Sequence, residues 1–251
     1  MTFAPLPGKI ARLNGLQLYF EIHGRGEPLV LLHGFSGSSQ DWKTSLHEWG
    51  GHFELIIPDL RGHGRSSILV KPFRHEEAAG DLVALLDHLE ISSFKGVGIS
   101  AGGNVLLHMA TRQPERVKAM VLVSATPYFP DQAHAIMRQY AANLPQEEWE
   151  RLRRSHPGGD PQIKALLAST TAFADSYDDL NFTPDSLAAI QARTLIVQGD
   201  SDPLYPVEIS VEMARAIPKS TLRIIPNGGH GPVIGAGWSE FIKTAREFLH
   251  G

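Results

Sequence analysis

Six short apolar runs, each closed by turn residues and several separated by helical patterns, constrain this chain more than any other feature of it. They cover residues 28–32, 53–57, 94–99, 117–123, 194–198 and 221–225. Read as apolar on both faces, they suit strands covered on both sides, as in a parallel sheet. Between several of them lie helical patterns. Residues 76–89 carry Ala79, Leu82, Val83, Leu86 and Leu89 at three- and four-residue spacing, 104–111 follows the run 94–99, and 239–249 closes the chain. Alternating strands and helices imply right-handed crossovers and a doubly wound α/β sheet. Ahead of them, 9–13 and 16–23 flank Asn14-Gly15 and read as a hairpin.

The alternation breaks between about residues 128 and 189, where helical stretches at 131–143, 146–154 and 163–177 carry no strand signal. So long a segment is too large for a simple crossover. It predicts a helical cap, residues 127–189, inserted into a core domain of residues 1–126 and 190–251. Tyr128, Phe129, Met137 and Tyr140 are its candidates for lining a substrate pocket, while most of the segment's aromatics are expected to pack its own small core.

Composition narrows the function classes. With 42% hydrophobic and 20% charged residues, the 251-residue chain reads as a soluble globular protein with one large core or a core plus a small insertion. A net charge of −4 and the absence of any Lys/Arg run argue against nucleic acid as a partner. There is no cysteine, which excludes disulfides, thiolate catalysis and Cys-ligated metals together. No HExxH-like spacing points to a metal, and no cofactor is expected. Met1 to Ile10, with Pro5 and Pro7, has no apolar run of a signal peptide, and nothing approaches a bilayer span. A cytoplasmic protein with no membrane partner is the expectation; the sequence does not fix an oligomeric state.

The strongest local signal is Gly98-Ile99-Ser100-Ala101-Gly102, followed by Gly103, between a strand and a helix. G-x-S-x-G needs that context: the turn is sharp enough to strain the nucleophile, and the flanking glycines leave room for the neighbouring strand and helix. Ser100 then projects its hydroxyl at the carboxyl edge of the sheet, and the Ala101 amide at the helix start points where an oxyanion would form. Gly96-Val97-Gly98-Ile99-Ser100-Ala101 also fits a dinucleotide fingerprint. That reading fails because several strands precede it and the next strand ends in Ser124-Ala125-Thr126, without the acid a ribose needs.

A serine hydroxyl needs a base. Of twelve histidines, His230 lies in Asn227-Gly228-Gly229-His230-Gly231, directly after the last strand, where a glycine loop can carry an imidazole back over the sheet. His33 and His63 read as turn and packing residues, His108 as packed or solvated, and the remainder as ordinary surface or cap histidines. The base needs a carboxylate to hold its tautomer. Gly199-Asp200-Ser201-Asp202-Pro203 follows the first strand after the cap. Asp202 is preferred because it lies deeper in the loop, while Asp200 is expected to cap the turn.

The order Ser100, Asp202, His230 is that of α/β-hydrolases. With His33-Gly34-Phe35, Asp59-Leu60-Arg61-Gly62-His63-Gly64-Arg65-Ser66, Gly199-Asp200-Ser201-Asp202-Pro203 and Gly228-Gly229-His230, the chain resembles that superfamily over nearly its whole length. The resemblance implies a mostly parallel eight-stranded sheet with helices on both faces, an inserted cap, and a second oxyanion amide at Phe35. Ser100 stands where haloalkane dehalogenases and epoxide hydrolases carry aspartate. The expected activity is a carboxylesterase on small to medium acyl esters, working through an acyl-enzyme (EC 3.1.1). Enol-lactone or carbon–carbon bond hydrolysis, perhydrolysis, and a non-hydrolytic ligand receptor retaining the fold are the alternatives.

Overall fold

The computed structural model describes residues 8–251. Residues 1–7, most of the stretch read above as lacking a signal peptide, lie outside them. β1 (Lys9–Leu13) and β2 (Leu16–Gly24) form the hairpin, with Asn14 and Gly15 both at positive φ, 50° and 76°, as a two-residue hairpin turn requires. β3 (Glu27–Leu32), β4 (Phe53–Pro58), β5 (Phe94–Ile99), β6 (Val117–Val123), β7 (Arg193–Gly199) and β8 (Ser220–Ile225) complete an eight-stranded sheet in the order β1-β2-β4-β3-β5-β6-β7-β8. β2 runs antiparallel to β1 and β4; the other pairings are parallel.

The apolar runs have their physical reason in this sheet. Side chains alternate faces along a strand, and Val30, Leu32, Ile56, Met120 and Leu122 enter one core. Their neighbours Leu29, Leu31, Leu55, Ile57, Val121 and Val123 enter the other. Helices α2 (His75–His88), α3 (Ala101–Arg112) and α8 (Val207–Ala216) cover the first face; α1 (Leu46–Gly50), after a 3-10 turn at Ser39–Ser45, and α9 (Trp238–His250) cover the second. Two details depart from expectation. β8 is a half-exposed edge strand, with Ile224 43% exposed, not one buried on both faces. The pattern reading also passes over α8, because alternating Val207, Ile209 and Val211 mimic a strand while Ile209 and Met213, one helical turn apart, supply the buried stripe.

Between β6 and β7 the chain forms α4 (Asp131–Ala142), α5 (Gln146–Ser155), α6 (Gly159–Phe173) and α7 (Pro184–Ala188). No helix among the described residues is long and apolar enough to cross a membrane. The end of this segment is fastened to the sheet domain through buried Asp179. Its carboxylate accepts from His75 Nδ1 at 2.7 Å and from the His75 and Glu76 amides at the start of α2, and its carbonyl accepts from His108 Nε2 at 2.8 Å. Burial pushes the Asp179 carboxyl up, but these bonds, the His75 imidazole foremost, outweigh it and hold it at about 2.

Of the histidines read as ordinary surface or cap groups, His47, His52, His88 and His250 are exposed and His134 and His156 lie between β6 and β7, whereas His23 and His75 are buried in the sheet domain. His23, His75, His134 and His156 are each at most 2% exposed, and His23 and His75 each face a buried carboxylate. Burial lowers His108 to about 4 and also depresses His63 and His156. The sign of the consequence is fixed. The unfolded chain protonates His108 near its ordinary 6.5 and the folded chain only near 4, so stability falls as pH drops between those values. His108→Gln should flatten that fall by on the order of 3 kcal/mol. Denaturant unfolding at neutral pH and at the acid end of the window measures it; an unchanged slope would contradict the assignment.

Candidate active site

The turn from β5 into α3 is set by sterics. Ser100 holds φ 51° and ψ −115°, a region that costs a non-glycine residue about 1–3 kcal/mol. Its amide donates to Val123 O at 2.7 Å and its carbonyl accepts from the Asn104 amide at 3.0 Å, which lock the conformation. A Cβ on Gly98 would lie 2.5 Å from the Gly102 carbonyl, and one on Gly102 2.5 Å from Leu32 O and 2.7 Å from His33 O. Those contacts bring the His33-Gly34-Phe35 loop against the start of α3. The Phe35 ring is held edge-on to His63, Phe73 and Phe173 at centroid distances of 5.0, 5.7 and 5.0 Å. Among the described residues, the Phe35 and Ala101 amides make no hydrogen bond, and Ala101 lies at the positive end of the α3 dipole.

The structure joins Ser100, His230 and Asp202 in one hydrogen-bonded chain. His230 Nε2 is 2.9 Å from Ser100 Oγ, and its Nδ1 is 2.9 Å from Asp202 Oδ2. The Asp202 side chain is fully buried. Oδ1 accepts from the Leu204 and Tyr205 amides at 2.8 and 3.2 Å, and Oδ2 accepts from Gln198 Nε2 at 2.9 Å. Burial pushes this carboxyl up, but the His230 bond and charge, the Leu204 amide and Gln198 outweigh it and keep it below the usual range. The carboxylate is ionised, so Nδ1 of His230 carries the ring proton and Nε2 accepts from the Ser100 hydroxyl. The turn-capping bonds expected of Asp200 belong instead to Asp202 Oδ1; among the described residues the exposed Asp200 carboxylate accepts from Ser201 Oγ alone.

The His230 loop is tied down by its neighbours. Gly231 donates to Ser124 Oγ, Ser201 donates to the Gly228 carbonyl, and Tyr205 packs edge-on against the imidazole at 5.3 Å. Gln198, at the end of β7, was not singled out in the sequence, where a buried strand-end amide gives no signal.

Two clefts meet at Ser100. One, of about 490 Å³, runs beneath α4 and α6 and is lined by Phe129, Met137, Tyr140, Phe173, Leu204 and Tyr205. The other, of about 560 Å³, is bounded by the Gly34–Gly37 loop, Thr44, Ile234 and Trp238. Of the predicted pocket residues, Phe129, Met137 and Tyr140 line the first cleft. Tyr128 lines neither: 37% exposed, it bridges to Asn181 and donates its hydroxyl to Glu212 of α8. Arg151 of α5 borders both clefts and pairs with Glu148, which also accepts from Tyr140. No local pattern marked Arg151, since an Arg at i+3 from a Glu on a charged helix is ordinary. Among the described residues no group of three or more His, Cys, Asp or Glu is arranged to hold a metal.

Comparison with known proteins places the geometry in context. The sequence profile of the Alpha/beta hydrolase family matches residues 29–242. A non-heme haloperoxidase of Rhodococcus erythropolis is 28% identical over 87% of this chain and 90% of its own length. A pimeloyl-[acyl-carrier protein] methyl ester esterase of Nitrosospira multiformis is 27% identical over 88% of this chain and 94% of its own. Among solved structures, a thermophilic esterase from Thermogutta terrifontis, determined with malate bound, superposes with a TM-score of 0.78 at 25% identity, covering 98% of both chains.

Proposed function

The chain belongs to the alpha/beta hydrolase family, and from that premise we propose that it is a serine hydrolase cleaving carboxylic esters through an acyl-enzyme. The observation that carries the reading is the unbroken hydrogen-bond chain from Asp202 through His230 to a Ser100 held at positive φ. His230 Nε2 takes the hydroxyl proton as Ser100 Oγ bonds to the ester carbonyl carbon. The carbonyl oxygen becomes an oxyanion held by the Phe35 and Ala101 amides, and ionised Asp202 stabilises the imidazolium. Collapse breaks the acyl–oxygen bond, and His230 returns the proton to the leaving alcohol. Water then enters by the same base catalysis, releasing the acid and restoring Ser100.

The leaving oxygen must stay within reach of His230 Nε2. The cleft of about 560 Å³ is built partly from the His230 loop, through Gly231, Ile234 and Gly235, so it takes the alcohol. The acyl part enters the apolar cleft beneath α4 and α6, which here act as a cap. That volume suits small to medium acyl chains.

A fluorophosphonate probe should label Ser100 and no other serine, and p-nitrophenyl esters from acetyl to octanoyl should turn over. Peptide mapping locates the adduct. Binding of these esters without turnover would make the chain a ligand-binding member of the family and end the proposal.

A further inference from the structure

The cleft beneath α4 and α6 contains a second histidine–carboxylate pair that ester cleavage does not use. His75, the first residue of α2, lines this cleft together with Ser100. Its Nδ1 is 2.7 Å from Asp179 Oδ2, and both side chains are 2% exposed. One ring face stacks on Phe173 at 5.1 Å and 29°, and Phe73 meets the ring edge-on at 5.2 Å. The imidazole is thus fixed in plane and rotation, as the base at Ser100 is. With Nδ1 donating to Asp179, the neutral ring carries its lone pair on Nε2. That atom makes no hydrogen bond among the described residues, yet it is not among the polar atoms sealed from solvent without a partner. Its access is to the cleft.

Asn104 stands on the same wall. Its Oδ1 accepts from the Thr126 amide at 2.9 Å, which fixes the amide orientation. Nδ2 is sealed from solvent. Asn104 lies one turn of α3 beyond Ser100, and His108, which touches the Asp179 carbonyl, lies one turn further. At 1.5 Å per residue these positions are about 6 and 12 Å along the helix from the nucleophile. A purely aliphatic acyl chain would displace water from His75 Nε2 and replace none of its hydrogen bonds. A hydroxyl satisfies this nitrogen: its hydrogen goes to the imidazole lone pair.

We propose that His75, oriented by Asp179, is a specificity-determining residue that accepts a hydrogen bond from a hydroxyl on the acyl part of the substrate, so that hydroxyacyl esters are the preferred class. The inference rests on the serine hydrolase reading above.

The test compares p-nitrophenyl alkanoates from butanoyl to octanoyl with their ω-hydroxy counterparts, using the intact protein and His75→Phe, whose ring keeps the stacking on Phe173. In the unmodified protein kcat/KM should favour at least one hydroxyacyl ester over its plain partner by about tenfold. In His75→Phe that preference should vanish, the hydroxyacyl esters losing about tenfold more than their plain partners. Should His75→Phe not fold, as judged by thermal unfolding, the double variant His75→Phe/Asp179→Asn removes the stranded buried charge together with the lone pair and should lose the same preference. Equal rates on both ester series in the unmodified protein, or equal losses on both in a folded variant, would overturn the proposal and leave the pair a structural clamp. Absence of turnover on every ester, with no labelling of Ser100, is a different failure: it removes the hydrolase reading itself.

Discussion

Replacing Ser100 by alanine should lower kcat on a p-nitrophenyl ester by a factor on the order of 10⁵, while the protein stays folded. The rate falls because the Ser100 oxygen hydrogen-bonded to His230 Nε2 is gone; the Phe35 and Ala101 amides and the clefts, left in place, can still bind substrate and leave a small residue of catalysis. Stability is set by a different feature. Alanine keeps the unfavourable φ of 51°, whereas glycine occupies it freely. Ser100→Gly should therefore be as inactive as Ser100→Ala, yet more stable by about 1 kcal/mol. Kinetics at saturating ester and thermal unfolding of both variants separate the two effects. Retention of a tenth of the activity in either variant would remove Ser100 from the reaction.

Asp202→Asn should reduce kcat by about 10⁴ with KM little changed. The orientation of the new amide is dictated by the fold. Asp202 Oδ1 receives the Leu204 and Tyr205 amides, so the single oxygen of asparagine is claimed there and its NH₂ faces His230 Nδ1. That nitrogen must then accept, the ring proton moves to Nε2, and Nε2 can no longer take the proton of Ser100. Gln198 offers partial relief, because its Oε1 has no partner and could turn toward the new NH₂. Asp202→Ala should add a loss of stability of about 2 kcal/mol, since it strands the two loop amides. Single-turnover rates and denaturant midpoints check both; an Asp202→Asn rate within tenfold of the parent would show that His230 is oriented by something else.

Much of this was legible from short-range rules. Gly98 and Gly102 announced the turn at Ser100 because only a missing Cβ admits backbone at 2.5 Å, and that constraint is local. β8 was readable as a strand but not as an edge, since exposure of Ile224 depends on what fails to cover it. Tyr128 and Met137 were equally plausible pocket residues by composition. The turn of chain before α4 sends one to Glu212 and the other into the cleft.

The sequence by itself determined the strand and helix alternation, the sharp turn at the nucleophile, and the loops that bear Asp202 and His230, because each follows from backbone sterics or side-chain period within a few residues. Only the tertiary structure decided which groups share a cleft. His75 and Asp179 are 104 positions apart, and Arg151 borders the clefts at Ser100 from a helix with no marking of its own. Such meetings depend on how an inserted segment packs over a sheet, which no local pattern encodes.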